Sequence, residues 1–160
     1  MVRTTEISTT LANLRLVARA WIDLARVDRQ LRHGGLEPVI DRIERDAAAP
    51  LPTIAPQDIR RAFRYARRIE QASHRHPARP QCLHRSLVLQ RWLRSEGFPS
   101  ELKIGVRKDE QQLKAHAWVE IGGVTINDRP AAVNAFTPLR RQPELAPVPA
   151  TGSDTIGGQP

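Results

Sequence analysis

The chain carries one cysteine, Cys82, and beyond it a histidine and an acid in the segments His116-Ala117-Trp118-Val119-Glu120 and Asn127-Asp128. A thiol, an imidazole and a carboxylate are the groups a cysteine hydrolase needs. The thiolate is intrinsically nucleophilic, an imidazole takes and returns its proton, and a carboxylate holds the imidazole in one tautomer. Cys82 alone argues little, because free cysteines are among the most buried residue types and act as small apolar groups. Its neighbours argue more. Cys82-Leu83-His84-Arg85-Ser86-Leu87 opens a helix-like run, and unpaired N–H groups at a first helical turn stabilise a thiolate. The Cys82 N–H could also supply one oxyanion donor, with Gln81 as a candidate for the second.

The base and the acid fall on strand-like segments. From Ala115 to Ile121, His116, Trp118 and Glu120 share one face and Ala117, Val119 and Ile121 the other, a polar face and a core face. Val124 to Asp128 follows Gly122-Gly123, a hairpin signal. Asp128 is the preferred orienter of His116, since Glu120 lies roughly 13 Å along the strand. A two-residue turn pairs Ile121 with Val124 and Ala117 with Asp128, leaving His116 on the opposite face from the acid. The triad therefore requires a three-residue loop, a bulge or an equivalent local shift.

Metal binding is the rival chemistry, because His74, His76, Cys82 and His84 lie within eleven residues. Their spacing matches no zinc pattern, and two helical residues two apart point away from each other. We expect neither metal nor cofactor.

The elements that must position these groups follow from periodicity. Leu14, Val17, Trp21, Leu24, Val27 and Leu31 recur at three- and four-residue spacing from Thr9 to Gly35, predicting a long amphipathic helix stopped by Gly34-Gly35. A short helix is expected over Glu37–Asp46, a linker over 47–52, and a third helix from Pro56 to about Ser73. That helix has Ile59, Ala62, Phe63, Ala66 and Ile69 inward and five arginines outward. A loop, His74 to Gln81, leads to the Cys82–Glu96 helix, which Gly97 ends. Glu101–Arg107 and Ala115–Ile121 read as strands. Residues 138–160 read as a disordered tail. Helices followed by an antiparallel sheet make an α+β plan.

At 160 residues the chain suits one domain with a real core. A single cysteine excludes an internal disulfide, and no apolar stretch has the length of a signal peptide or membrane span, so a cytoplasmic location is expected. The net charge of +8 rests on 22 arginines against 3 lysines and should attract something anionic. With 4% aromatic residues and no nucleic-acid motif, a solvated basic surface, or one that meets an acidic peptide or protein, is favoured over nucleic acid.

The run CLHRSLVLQRWLRSEGFPSELKIGVRK followed by AHAWVEIGGVTINDRP resembles the transglutaminase-like core of the B proteins of lasso peptide biosynthesis, cysteine proteases that remove a leader from a precursor peptide. The similarity covers about Pro80 to Pro130 and joins Cys-Leu-x-Arg-Ser-Leu, Leu-Arg-x-x-Gly-x-Pro, Ile-Gly-Val, His-Ala-Trp-Val-Glu and Asn-Asp. It implies a transglutaminase-like (papain-like) fold with Cys82 as nucleophile, His116 as base and acid, and Asp128 as orienter. With it the chain divides into a helical region at 1–75, a catalytic core at 76–137 and the tail at 138–160. Many members begin with a winged-helix-like recognition domain, which the helical first 75 residues do not resemble. The resemblance therefore implies the peptidase half of a split system. Its partners would be a lasso precursor peptide, a separate leader-recognition protein and an ATP-dependent cyclase, with no membrane partner. Acyl transfer to amines, or a non-catalytic basic module binding peptide or nucleic acid, are the alternatives.

Overall fold

The structure, a computed structural model, describes residues 2–109 and 112–139, with side chains from residue 10 onward. Helix α1 (Val2–Gly34) is followed by α2 (Glu37–Arg45), α3 (Pro56–Ser73) and α4 (Cys82–Ser95). Strands β1 (Ser100–Asp109), β2 (Gln112–Ile121) and β3 (Val124–Thr125) come next, then a one-turn helix α5 (Pro130–Val133) and strand β4 (Thr137–Pro138). The strands form one antiparallel sheet in the order β3-β2-β1-β4, so the fold is α+β as expected.

The helix ends follow from their glycines. Gly35 has φ 75 and its N–H closes on the Leu31 carbonyl, ending α1. At the end of α4 the N–H groups of Gly97 (φ 79) and Phe98 donate to the carbonyls of Arg94 and Leu93, a Schellman arrangement that turns the chain into β1. Around this turn, Ala48 N–H donates to the Arg94 carbonyl and Leu51 N–H to the Gly97 carbonyl, so the linker after α2 lies against it.

One apolar core joins Ala20, Leu24 and Val27 of α1, Val39, Ile40 and Ile43 of α2, and Ala62, Ala66 and Ile69 of α3. These meet Leu87, Trp92 and Leu93 of α4 and Val119 and Ile121 of β2. Two expected core residues are corrected on α1: Leu14 is exposed, in a largely exposed stretch at residues 10–15, and Trp21 sits beside the seam with its ring on His76. On α3 Phe63 is exposed, and Tyr65 is buried in its place, its ring meeting the Trp92 edge and its hydroxyl donating to Glu96 at 2.7 Å. The core also admits one acid. Asp23 is 5% exposed, accepts the Trp92 Nε1–H at 2.9 Å and faces Arg26 and Arg19, so α1 is tied to α4 through a charge that has partners.

The chain after Asp128 forms α5, and Thr137 and Pro138 pair with Val106 and Gly105 as β4, so residue 138 begins no tail. Residues 140–160, where most of the expected tail falls, lie outside the described residues.

Candidate active site

Cys82 is the first residue of α4, half-buried, with a free thiol. The first bond of the helix ladder there is Arg85 N–H to the Gln81 carbonyl at 3.2 Å, so the Cys82 N–H precedes the ladder. His84 supports this turn. Its Nδ1 accepts the Gln81 N–H at 3.3 Å while its Nε2 faces Asp28 of α1 at 3.4 Å, an arrangement satisfied by a neutral ring with the proton on Nε2. Burial lowers the pKa of His84 below its usual 6.5, Asp28 acting in the opposite sense.

His116 and Asp128 meet, with Nε2 of the imidazole 2.5 Å from Oδ2 of the carboxylate. The other carboxylate oxygen accepts the Arg129 N–H at 2.7 Å, so the carboxylate is held at both oxygens. The two side chains are 20% and 25% exposed, open enough for substrate yet partly shielded from competing water. With Nε2 turned to the acid, Nδ1 is the nitrogen left for proton transfer.

The hairpin reaches this geometry by combining a two-residue turn with a local shift. Ile121 pairs with Val124 and Glu120 with Thr125 around Gly122 (φ 56) and Gly123 (φ 81), the two-residue turn. Yet β3 lasts two residues only. Ile126 N–H still donates to the Val119 carbonyl at 2.9 Å, but the returning bond from Val119 N–H goes to the Asn127 side-chain oxygen at 2.8 Å. A side chain substitutes for the main chain, the ladder ends, and Asp128 swings to the face that His116 occupies. The required local shift is thus made by Asn127.

Asn127 also reaches α4. Its amide nitrogen donates to the Ser86 hydroxyl at 2.9 Å, and that hydroxyl donates to the Ala117 carbonyl at 2.9 Å. Ser86 is fully buried. It lies one helical turn after Cys82, Ala117 follows His116, and Asn127 precedes Asp128. One polar chain therefore joins the three segments that carry the three candidate groups. The Ser86–Ala117 bond ties α4, four residues after Cys82, to β2 at the residue that follows His116. Neither Ser86 nor Asn127 stood out as functional in the sequence; the signal was the placement of each beside a candidate residue.

The expected polar face of β2 is partly covered. Trp118 is 2% exposed, and the segment after Asp128 brings Phe136 to 5.1 Å from the His116 ring centroid. Trp118 stacks near the same imidazole at 6.1 Å, its Nε1–H donating to Glu120 at 2.7 Å, so Glu120 serves the indole instead of His116. Gly105, directly across from His116, makes room for both residues: a Cβ there would lie 2.9 Å from the Phe136 Cβ and from the Trp118 ring. Among the described residues no cluster of three or more His, Cys, Asp and Glu side chains is placed to hold a metal, His76 and His84 being turned to Trp21 and Asp28.

Residues 14–141 match the family described as the transglutaminase-like superfamily. The chain belongs to that superfamily. The matched range begins within α1, includes every later element through β4, and contains Cys82, His116 and Asp128. The chain is also similar to the microcin J25-processing protein McjB of Escherichia coli, with 47% identity over 49 residues, 31% of this chain and 23% of McjB. The match thus spans less than a quarter of that relative's length. Together the two similarities support the resemblance to lasso peptide B proteins. No solved structure matches the chain. No described helix of this transglutaminase-like chain is long and apolar enough to cross a membrane.

Proposed function

We propose that the chain is a cysteine peptidase that cleaves the leader from a ribosomally made lasso precursor peptide, with Cys82 as nucleophile, His116 as base and acid, and Asp128 as orienter. The observation that carries this reading is the His116–Asp128 pair at 2.5 Å, linked through Asn127 and Ser86 to the helix that Cys82 heads. A histidine held by a carboxylate and tethered to a thiol-bearing helix start is machinery for acyl transfer.

In the first step His116 Nδ1 takes the Cys82 thiol proton, and Sγ forms a bond to the carbonyl carbon at the leader–core junction. The developing oxyanion is met by the Cys82 N–H, with Gln81 as a candidate second donor. Collapse breaks the C–N bond while the imidazolium gives its proton to the departing amine, and the leader remains as a thioester. Water, deprotonated by His116, adds to the thioester, the C–S bond breaks, and the leader leaves as a carboxylate. The free amine of the core peptide is the group a macrolactam-forming, ATP-dependent cyclase consumes. A separate leader-recognition protein and a reducing cytoplasm complete the reading.

The test is mass spectrometry of the precursor encoded nearest this gene, incubated with the chain and its recognition partner. Cleavage at one bond, abolished in Cys82→Ala, is the expected result. Unchanged cleavage by Cys82→Ala would refute the assignment, and capture of the acyl group by an added amine in preference to water would move the chain to the acyltransferases.

A further inference from the structure

A cavity of about 620 Å³ lies on the far side of β1 from β2, between that strand, α2 and α4. Leu36, Ile40, Leu102 and Leu139 give it apolar walls. Two side chains that line it, Gln90 and Ser100, are each 4% exposed, yet Gln90 Oε1 and Ser100 Oγ have no hydrogen-bond partner. Arg94 Nε, on the same wall, is a third buried polar atom without a partner, although Nη2 of the guanidinium is engaged by Glu44, which also lines the cavity. Buried polar atoms left unpaired carry a free-energy penalty, and three on one cavity are complementary to a ligand that brings both donors and acceptors.

The strand beside them, β1, pairs with β2 on one edge and only partly with β4 on the other. Leu139 N–H donates to the Ile104 carbonyl at 2.7 Å, so the backbone groups of Ile104 face this edge, and by alternation so do those of Leu102 and Ser100. β4 pairs only with Gly105 and Val106, and the Ser100 N–H is taken by the Phe98 carbonyl. Among the described residues the Leu102 N–H and C=O therefore have no strand opposite them. A donor and an acceptor on a strand edge, an acceptor at Gln90, a donor at Arg94 and a hydroxyl at Ser100 form the pattern an extended peptide backbone satisfies.

We propose that this groove binds a segment of the substrate peptide as an added β-strand along Ser100–Leu102, its main chain pairing with Leu102 and with Gln90, and alternate apolar side chains resting on Leu36 and Ile40. The proposal rests on the peptidase reading and names where the substrate is held away from the scissile bond. Gln90 lies eight residues, roughly 12 Å, along α4 from Cys82, so about four residues of extended chain separate the cleaved bond from the groove. The charged side chains lining the groove, Glu37, Glu44, Glu101, Arg94 and Lys103, sum to one net negative charge, with Arg94 paired to Glu44 and Lys103 to Glu101. Recognition is therefore chiefly by backbone and apolar side chains.

The test uses the full chain carrying Cys82→Ala and a fluorescein-labelled peptide of alternating Val and Thr with Lys at each end, read by fluorescence anisotropy. The peptide should bind, and a version N-methylated at alternate residues should not. Leu102→Pro, which removes an edge N–H without touching the β2 ladder, and Gln90→Met should each weaken binding by about tenfold, the effect of removing one buried hydrogen bond. Gln90→Met should at the same time raise the melting temperature, because it removes an unpaired buried carbonyl. A merely structural Gln90 would not do both. Equal binding of the N-methylated peptide, no binding of either, or parallel loss of stability and binding in Gln90→Met would overturn the proposal. Binding that emerges only when residues 142–160 are removed would assign the groove to the chain's own C-terminal segment and equally overturn it. These readouts are independent of turnover, whereas failure of the peptidase reading appears as undiminished cleavage by Cys82→Ala.

Discussion

The weight carried by Ser86 is out of proportion to its size. Its single hydroxyl donates to the Ala117 carbonyl and accepts from Asn127, in a position fully shielded from water. Removing it leaves a carbonyl and an amide unpaired in a buried setting, where each orphaned group costs about 1–3 kcal/mol. Ser86→Ala should therefore lower unfolding free energy by about that amount in urea titrations. With a cleavable peptide, the same variant should reduce kcat more than it raises KM, since the two Ser86 hydrogen bonds set the approach of helix and strand and touch no substrate. A loss confined to KM would show that Ser86 does not position the site. His116, Asp128 and Cys82 were legible as residue types in order, because the chemistry demands those types. Asn127 was not legible, because nothing in its spacing shows that its side chain takes over a bond of the ladder.

At the scale of elements, α4 does two jobs: it presents Cys82 at its start and turns the chain into the sheet at its end. The boundaries of α3 and α4 were readable to within a residue, since Pro56, Gly97 and the apolar spacing mark them. The turn at Gly97 is fixed twice, by a positive φ and by close approach: a Cβ there would lie 2.3 Å from the Ala49 carbonyl oxygen. Gly97→Ala should therefore destabilise the protein by more than the ~1 kcal/mol of a conformational penalty alone, seen as a lower urea midpoint with an unchanged slope. An effect under that value would mean the linker at Ala49 yields freely. α5 and β4 were not legible, because four- and two-residue elements carry no periodicity. They form against partners already in place, Phe136 on the open face and Thr137 on Val106.

At the scale of the molecule, α1 and α4 are coupled through a group that changes with pH. His84 joins the α4 start to Asp28 of α1, and burial lowers its pKa below 6.5. The unfolded chain binds this proton near pH 6.5 while the folded chain resists it, so stability is undiminished above 6.5 and falls as pH is lowered through that value. Protonated Nδ1 can no longer accept the Gln81 N–H, which loosens the turn beside Cys82. Denaturation at pH 7.5 and 5.5 should show this loss, and His84→Asn should flatten it; an equal slope in the variant would assign the effect elsewhere. The sequence by itself determined the order of the chemical groups, the main helices, the two long strands and the α+β plan, because these rest on local spacing and on the residue types a reaction needs. The tertiary structure decided whether His116 and Asp128 meet, since that turns on a side chain from one strand end replacing a main-chain bond and reaching a serine on a helix 41 residues earlier. Such a bond leaves no local period to read.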